Sequence, residues 1–518
     1  MATRIATLGV AEPKARFGAA AAAVAAIPRW VILLATAMTV RAVTFGDPVI
    51  AVDEQFYWVT AQRLLHGALP FVDVWDRKPI GLFLLYAPAA ALGLPWGILA
   101  YQWMALACVT CTALLIARIA DRAGWAAGAM PSALLYILML NVADGQGGQA
   151  PVFYNLLTIG AIALLLPRSR DAVDDPARVN RNLLAMLLIG AALQVKYTVL
   201  FEGLFLGLWL LRRELVLGAS LMRVLRRAAA YAAMAMVPTL LAGIVYARLG
   251  RFDAWFYANF GSILDRKSDP FLDLVGAFFE VMVPLAPLLV LSALGWRRLV
   301  HHGARGAAAG LLFGWLVSAM VGLIIFGSWF PHYALPVMVP ASLCCAAYFA
   351  LDRTGRRIVA PALLGVALIA GTASVLIAQS KRGNAAQLET IAEAIGHGRG
   401  CLYVHSGDSM LYGATGRCAL SPWLFPSHLS RERENGALGV DQIAEVDRIF
   451  DRKPEIVVMR TPFRGERLAV RARVMRYLHR MGYAVRGTYM LGRIPITVYA
   501  APNAAAVAPP RRSASSPA

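Results

Sequence analysis

The chain is 518 residues long, 59 % hydrophobic and 15 % charged, with a formal net charge of +20 and a mean hydropathy of +0.59. Apolar content at this level exceeds what soluble globular domains carry, so composition excludes an ordinary soluble fold and indicates a polytopic membrane protein. The positive excess is not gathered into a patch that could follow nucleic acid: Arg and Lys fall in short gaps between apolar runs, where they report topology.

In chain order, a basic segment with Lys14, Arg16 and Arg29 runs into an apolar stretch lacking a small-residue cleavage site, which reads as a retained first span and not a signal peptide. Runs of about 18–22 apolar residues predict helices near 25–45, 98–117, 125–143, 152–167, 183–196, 198–212, 228–249, 272–295, 307–327, 333–351 and 358–378, about eleven crossings. The pair 183–196 and 198–212 is short, which leaves one long tilted or broken helix as the alternative. Basic clusters mark every second gap: Arg118 and Arg122; Arg168, Arg170, Arg178 and Arg181; Arg212, Arg213, Arg223, Arg226 and Arg227; Arg297, Arg298 and Arg305; Arg353, Arg356 and Arg357. By the positive-inside rule these gaps and the N-terminus are cytoplasmic, and residues 46–97 and everything after Gln379 lie outside.

The stretch PIGLFLLYAPAAALGLP at 79–95 is also apolar. Counting it as a full span would put Arg118 and Arg122 on the wrong side, so it is predicted to lie in the outer interface. Ahead of it Tyr57, Ala61, Leu64, Leu65 and Ala68 recur at the spacing of a helix with one apolar stripe, giving two surface helices joined by PFVDVWDRK. Residues 1–379 thus form a membrane domain. From Ser380 the composition turns soluble: CLYVH at 401–405, EIVVM at 455–459 and ITVYA at 496–500 alternate with helical RLAVRARVMRYLHRM. That pattern predicts a small extracytoplasmic α/β domain over 380–503, and the low-complexity residues 504–518 read as a disordered tail. Cys108 and Cys111, and likewise Cys344 and Cys345, lie inside spans with no further ligands and read as packing residues. Cys401 and Cys418 are in the outer domain, where an oxidising compartment allows pairing.

No Walker A sequence, no H-E-x-x-H and no D-x-D of the nucleotide-sugar kind occurs, so nucleotide substrates are poorly supported. Polar residues gathered on an outer face call for a substrate delivered by the membrane, and a lipid-linked donor meets that need.

The loop VDEQFYWVTAQRLLHGALPFVDVWDRKPIG, from Val52, resembles the first outer loop of the GT-C glycosyltransferases of the protein O-mannosyltransferase and lipid A aminoarabinose-transferase type, the glycosyltransferase family 39-like group. There an acidic pair follows the first span, then a Tyr, a G-x-x-P/Y-x-D turn and a K-P-(P/I) entering a juxtamembrane helix. FPHYALPVMVPA at 330–341 resembles the family's Y-x-L-P-x-x-P, and GAALQVKYTVLFEG resembles the G-x-x-K pattern from the middle of family sequences. The likeness covers roughly residues 25–350, and its specific part is the first loop.

The resemblance implies a GT-C-like membrane fold and inverting transfer of a sugar (hexosyl or pentosyl) from a polyprenyl-phosphate donor, with Asp53 at the catalytic acidic position as general base. Glu54 assists or helps bind a divalent cation, for which its hard carboxylate oxygens are suited. Lys78, at the family's Lys-Pro position, is expected at the phosphate with Arg77. Arg266 and Lys267 resemble a later-loop basic residue of the same role, and His332 and Tyr333 are expected to line the carrier groove. One departure matters: the second functional Asp of aminoarabinose-type members is Ala150 here, with Gln149, Asp144 or Asn155 as candidates to replace it in binding, and Gln149, Asn155 and Tyr57 as expected acceptor or sugar contacts. Plainer roles stand beside these: Asp53 capping the helix it begins, Lys78 snorkelling to headgroups, Lys196 snorkelling or pairing near the outer edge. Rival functions are a transporter, a non-catalytic scaffold, and ligation of a lipid-linked oligosaccharide. The expected partners are the lipid donor, membrane lipid and a glycolipid, polysaccharide or protein acceptor; the expected location is a bacterial inner membrane.

Overall fold

The structure, a computed structural model, describes residues 27–168, 171–173 and 175–504. Lys14, Arg16, Arg170, positions 25–26 of the first run and the tail from 505 lie outside these residues. Each of the eleven apolar runs forms a helix: Arg29–Arg41, Trp96–Arg122, Ala126–Leu140, Ala150–Leu165, Pro176–Leu193, Leu200–Val216, Leu221–Arg248, Phe271–His301, Ala307–Phe326, Leu335–Leu351 and Ala360–Arg382. Among the described residues, seven helical stretches are long and apolar enough to cross a bilayer. Of the rest, Arg29–Arg41, Ala150–Leu165 and Leu200–Val216 are only 13, 16 and 17 residues long, and Pro176–Leu193 begins with Arg178 and Arg181.

Burial separates centre from rim. The Pro331–Leu351 stretch is 78 % buried across its most apolar window, whereas Leu221–Arg248 and Phe271–His301 are 22 % buried and present apolar faces that a bilayer would cover. At one end of the bundle the loop leading into Phe271–His301 and the first residues of that helix bear three exposed apolar side chains, Leu264, Phe271 and Leu272.

The ambiguity at 183–212 resolves by a contact between ends. Arg178, at the start of Pro176–Leu193, pairs with Glu214, at the end of Leu200–Val216, at 2.8 Å. Two helices joined by a short turn at 197–199 and touching start to end form a hairpin, so the single long helix is excluded.

The first loop carries the two expected helices, Val52–Leu65 and Ile80–Ala90. The former differs from the one-stripe surface helix its spacing predicts: every residue from Glu54 to Ala61 is buried. The reason is that the C-terminal region packs over it. Phe56 meets Phe425 at 5.2 Å between ring centroids, Arg63 donates to the Arg417 carbonyl at 3.1 Å, and Trp75 N–H to the Pro422 carbonyl at 2.9 Å. That region holds a four-stranded sheet in the order β1-β2-β4-β3, with β1 (Leu402–Val404) parallel to β2 (Ile456–Arg460), and β4 (Ile494–Ala500) antiparallel to both β2 and β3 (Ala484–Leu491). Sequence pattern anticipates β1, β2 and β4 but not β3, a largely exposed edge strand whose Gly487 and Arg486 break the apolar alternation. Cys401 and Cys418 form a disulfide.

Candidate active site

The helix containing Asp53 starts at Val52 from an extended Ala51, with no side-chain cap. Asp53 is therefore in the first turn, where the helix dipole favours a carboxylate, and does not serve as the cap. Lys78 reaches it from the turn before Ile80–Ala90. Its Nζ lies 3.6 Å from Asp53 Oδ1 and 3.5 Å from Asp76 Oδ2, and 5.3 Å from the centre of the Tyr57 ring. From the other side His332 Nε2 approaches Asp53 Oδ2 at 3.9 Å. Burial pushes the Asp53 carboxyl up, but the neighbouring cations, Lys78 first among them, outweigh it and hold the group below the usual aspartate range. Asp53 is thus ionised at neutral pH, and with 22 % of its side chain exposed it remains reachable. Asp76, more deeply buried, is pushed the other way by desolvation.

Beside this cluster a small cleft opens among the helices, lined by Tyr154, Lys196, Phe201, Glu202, Phe326 and Tyr333. Tyr333 adjoins His332, with ring centroids 4.9 Å apart, and Lys196 Nζ sits 4.0 Å over the Tyr333 ring. Lys196 is therefore part of the cleft wall and does not pair with Glu202, whose carboxylate instead accepts a 2.6 Å hydrogen bond from Trp315 Nε1. Apolar walls carrying one cation, Lys196, and one carboxylate, Glu202, suit a ligand with a hydrophobic tail and a polar head.

Several residues expected at the site are elsewhere. Glu54 is fully buried and faces the 144–149 loop, where a Cβ on Gly147 would collide with its carboxyl oxygens. Burial pushes it up to about 7, and it is not positioned to join Asp53 on a cation. Among the described residues no group of three or more His, Cys, Asp or Glu could hold a metal ion. Arg41 fixes this loop by donating to the Gly145 carbonyl at 2.7 Å and to the Gly147 carbonyl. Tyr57, which stays beside Lys78 in the cluster, and Gln149 and Asn155, all expected as sugar contacts, are at most 2 % exposed, and Asn155 donates to the Leu335 carbonyl at 3.2 Å. Asp144 is tied to Arg382 at 2.8 Å, and Ala150 is a buried first helical residue.

Arg77 differs most from its reading as a phosphate contact. Its Nη1 meets Glu434 at 2.6 Å, its Nε donates to Ser262 Oγ at 3.1 Å, and its Nη2 to the Ala437 carbonyl at 2.8 Å. Glu434 also accepts from Arg266 Nε at 3.1 Å. Arg77 thus clamps the first loop to the C-terminal region, with Arg266 beside it, whereas Lys267 pairs with Glu432 on the exposed rim. Two participants were missed in sequence. Asp76 was visible within the DRKP run, but Glu434 lies in an ordinary-looking SRERENG stretch that carries no site signature.

The order of these elements matches known folds. The crystal structure of ArnT from Cupriavidus metallidurans in the apo state superposes with a TM-score of 0.60 at 14 % identity, over 90 % of this chain and 97 % of that one. Its form bound to undecaprenyl phosphate gives 0.59 with the same identity and coverage. The protein has a GT-C fold. A further GT-C structure, the Archaeoglobus fulgidus oligosaccharyltransferase in complex with Zn and sulfate, superposes at 0.52 with 10 % identity, over 83 % of this chain and 67 % of that one. No family model matches the sequence, and no curated protein matches it. At these identities the GT-C likeness is one of backbone architecture, and the chemistry must be argued from this protein's own side chains.

Proposed function

We propose that this GT-C protein transfers a sugar from a polyprenyl-phosphate donor to an acceptor at the outer face of a bacterial inner membrane. The observation that carries the reading is the solvent-reachable Asp53 held between Lys78 and His332, next to Tyr333 of the apolar cleft wall. The binding of undecaprenyl phosphate by the fold neighbour ArnT supports the same donor class. In a single inverting displacement the acceptor hydroxyl attacks the anomeric carbon as its proton passes to Asp53. The bond from that carbon to the phosphate oxygen breaks, and its electron pair leaves with the lipid phosphate. Lys78 suits the role of stabilising that oxygen, because cations fixed where negative charge develops lower the barrier. When Lys78 turns part of its charge to the phosphate, Asp53 loses its strongest counter-ion and becomes a better base, coupling donor binding to activation.

The test is transfer of radiolabelled sugar from a panel of polyprenyl-phosphate sugars in purified membranes, comparing the parent with Asp53→Asn. Transfer by the parent that collapses in a folded Asp53→Asn variant supports the reading. An active parent matched by Asp53→Asn removes Asp53 as base, and a parent that uses no donor favours a transporter or scaffold.

A further inference from the structure

The cations of the site do not all come from the membrane bundle. Arg433, in the SRERENG stretch of the C-terminal region, lies 5.0 Å over the ring of Phe330. Phe330 in turn packs on Tyr333 at 5.6 Å and stacks on His332 at 5.9 Å between centroids. The series of contacts from Arg433 through Phe330 therefore ends at the two residues that join the cleft to Asp53. Arg433 is 13 % exposed; its Nη1 donates to Asp269 Oδ2 at 2.9 Å. Its buried Nε has no hydrogen-bond partner, with Glu434 Oε1 at 3.7 Å. A guanidinium presents five donors in a planar fork suited to phosphate oxygens, and a buried donor left unpaired costs free energy that a ligand oxygen would recover.

We propose that Arg433 of the C-terminal region is a second phosphate contact, closing over the cleft mouth opposite Lys78 and making the donor site a composite of both parts of the protein. Glu434 serves it as a positioning residue, holding Arg77 and Arg266 so that the loop cations and Arg433 converge. This rests on the donor class proposed above and adds to it a named source of affinity outside the bundle.

The experiment measures binding of polyprenyl phosphate and of the uncharged polyprenol to the full-length protein in lipid nanodiscs, for the parent, Arg433→Ala, Arg433→Gln and Asp269→Asn. The Gln variant keeps a polar side chain of similar reach should Ala disturb packing on Phe330. A charge-assisted contact of this kind predicts a loss of about tenfold or more in phosphate affinity for both Arg433 variants. Polyprenol binding should change little, and Asp269→Asn, which breaks the same ion pair but keeps the guanidinium, should stay near the parent. Arg433 variants that bind the phosphate as the parent does overturn the proposal while leaving the donor reading intact. So does an Asp269→Asn loss equal to theirs, which would reduce Arg433 to a docking contact. A parent that binds polyprenol as well as the phosphate removes the donor reading itself.

Discussion

Two ionic clusters of the protein have opposite character. At the start of Pro176–Leu193, Arg178 and Glu214 are at most 2 % exposed and 2.8 Å apart. Arg178 also donates to the Ala172 and Val173 carbonyls at 2.8 and 3.0 Å, and Tyr231 donates to Glu214 at 3.0 Å. From Arg178 the helix Pro176–Leu193 rises about 22 Å at 1.5 Å per residue, and just beyond its end Lys196 lies over Tyr333, the neighbour of His332 in the Asp53 cluster, where the ion pairs stretch to 3.5–3.9 Å. There Asp76 Oδ2 has no hydrogen-bond partner. Satisfied buried pairs fix a structure, and removing one partner strands a charge. Loose, half-open pairs hold little stability and leave capacity for a ligand. Tightness, not the number of charges, separates the two roles.

That contrast can be broken in order of effect. The largest expected change is in transfer: Asp53→Asn should lower its rate by about 10² to 10⁴, with the folded fraction, followed by size-exclusion chromatography, held near the parent's. Arg178→Ala should do the reverse, destabilising the fold by about 3–5 kcal/mol in denaturation or thermal-shift measurements. Lys78→Ala should cost less stability than Arg178→Ala yet lower kcat/KM for donor about tenfold or more; equal stability losses would erase the distinction between the clusters.

Smaller effects lie in pH dependence. Because Asp53 is held below the usual carboxylate range, the acid limb of kcat/KM should fall below about pH 4. A limb near 7 would instead identify Glu54, which burial pushes up to about 7. Glu54 also sets a stability slope. A carboxyl whose folded pKa is raised binds its proton more tightly folded than unfolded, so stability falls as pH rises from about 4.5, its unfolded value, towards 7, and levels off above. Glu54→Gln should flatten thermal-midpoint-against-pH curves over that window but not remove the slope, since burial also pushes Asp408 up to about 7.

Much of this was legible in the sequence, for reasons that differ by region. Apolar length predicts the helices because a bilayer admits few alternatives, and the DE and DRKP clusters stand out because charge beside an apolar run is costly unless used. The burial of Glu54 is not legible in the sequence, because it depends on Gly147 approaching from a separate loop, a close packing that no local pattern records. Arg433 and Glu434 were invisible for a related reason: a run of alternating charge in soluble sequence looks solvated, and its meaning comes from Arg77, 357 residues from Glu434 in sequence. The 183–212 hairpin needed the contact of its two ends.

The loop bearing Arg266 ends on Leu264, Phe271 and Leu272, which are 84, 76 and 79 % exposed. Side chains of that kind beside a membrane sink into its acyl boundary, so the height of Arg266 over the cleft is set partly by the lipids around it. Bilayers of different acyl length or fluidity should then shift donor affinity without any change in the protein.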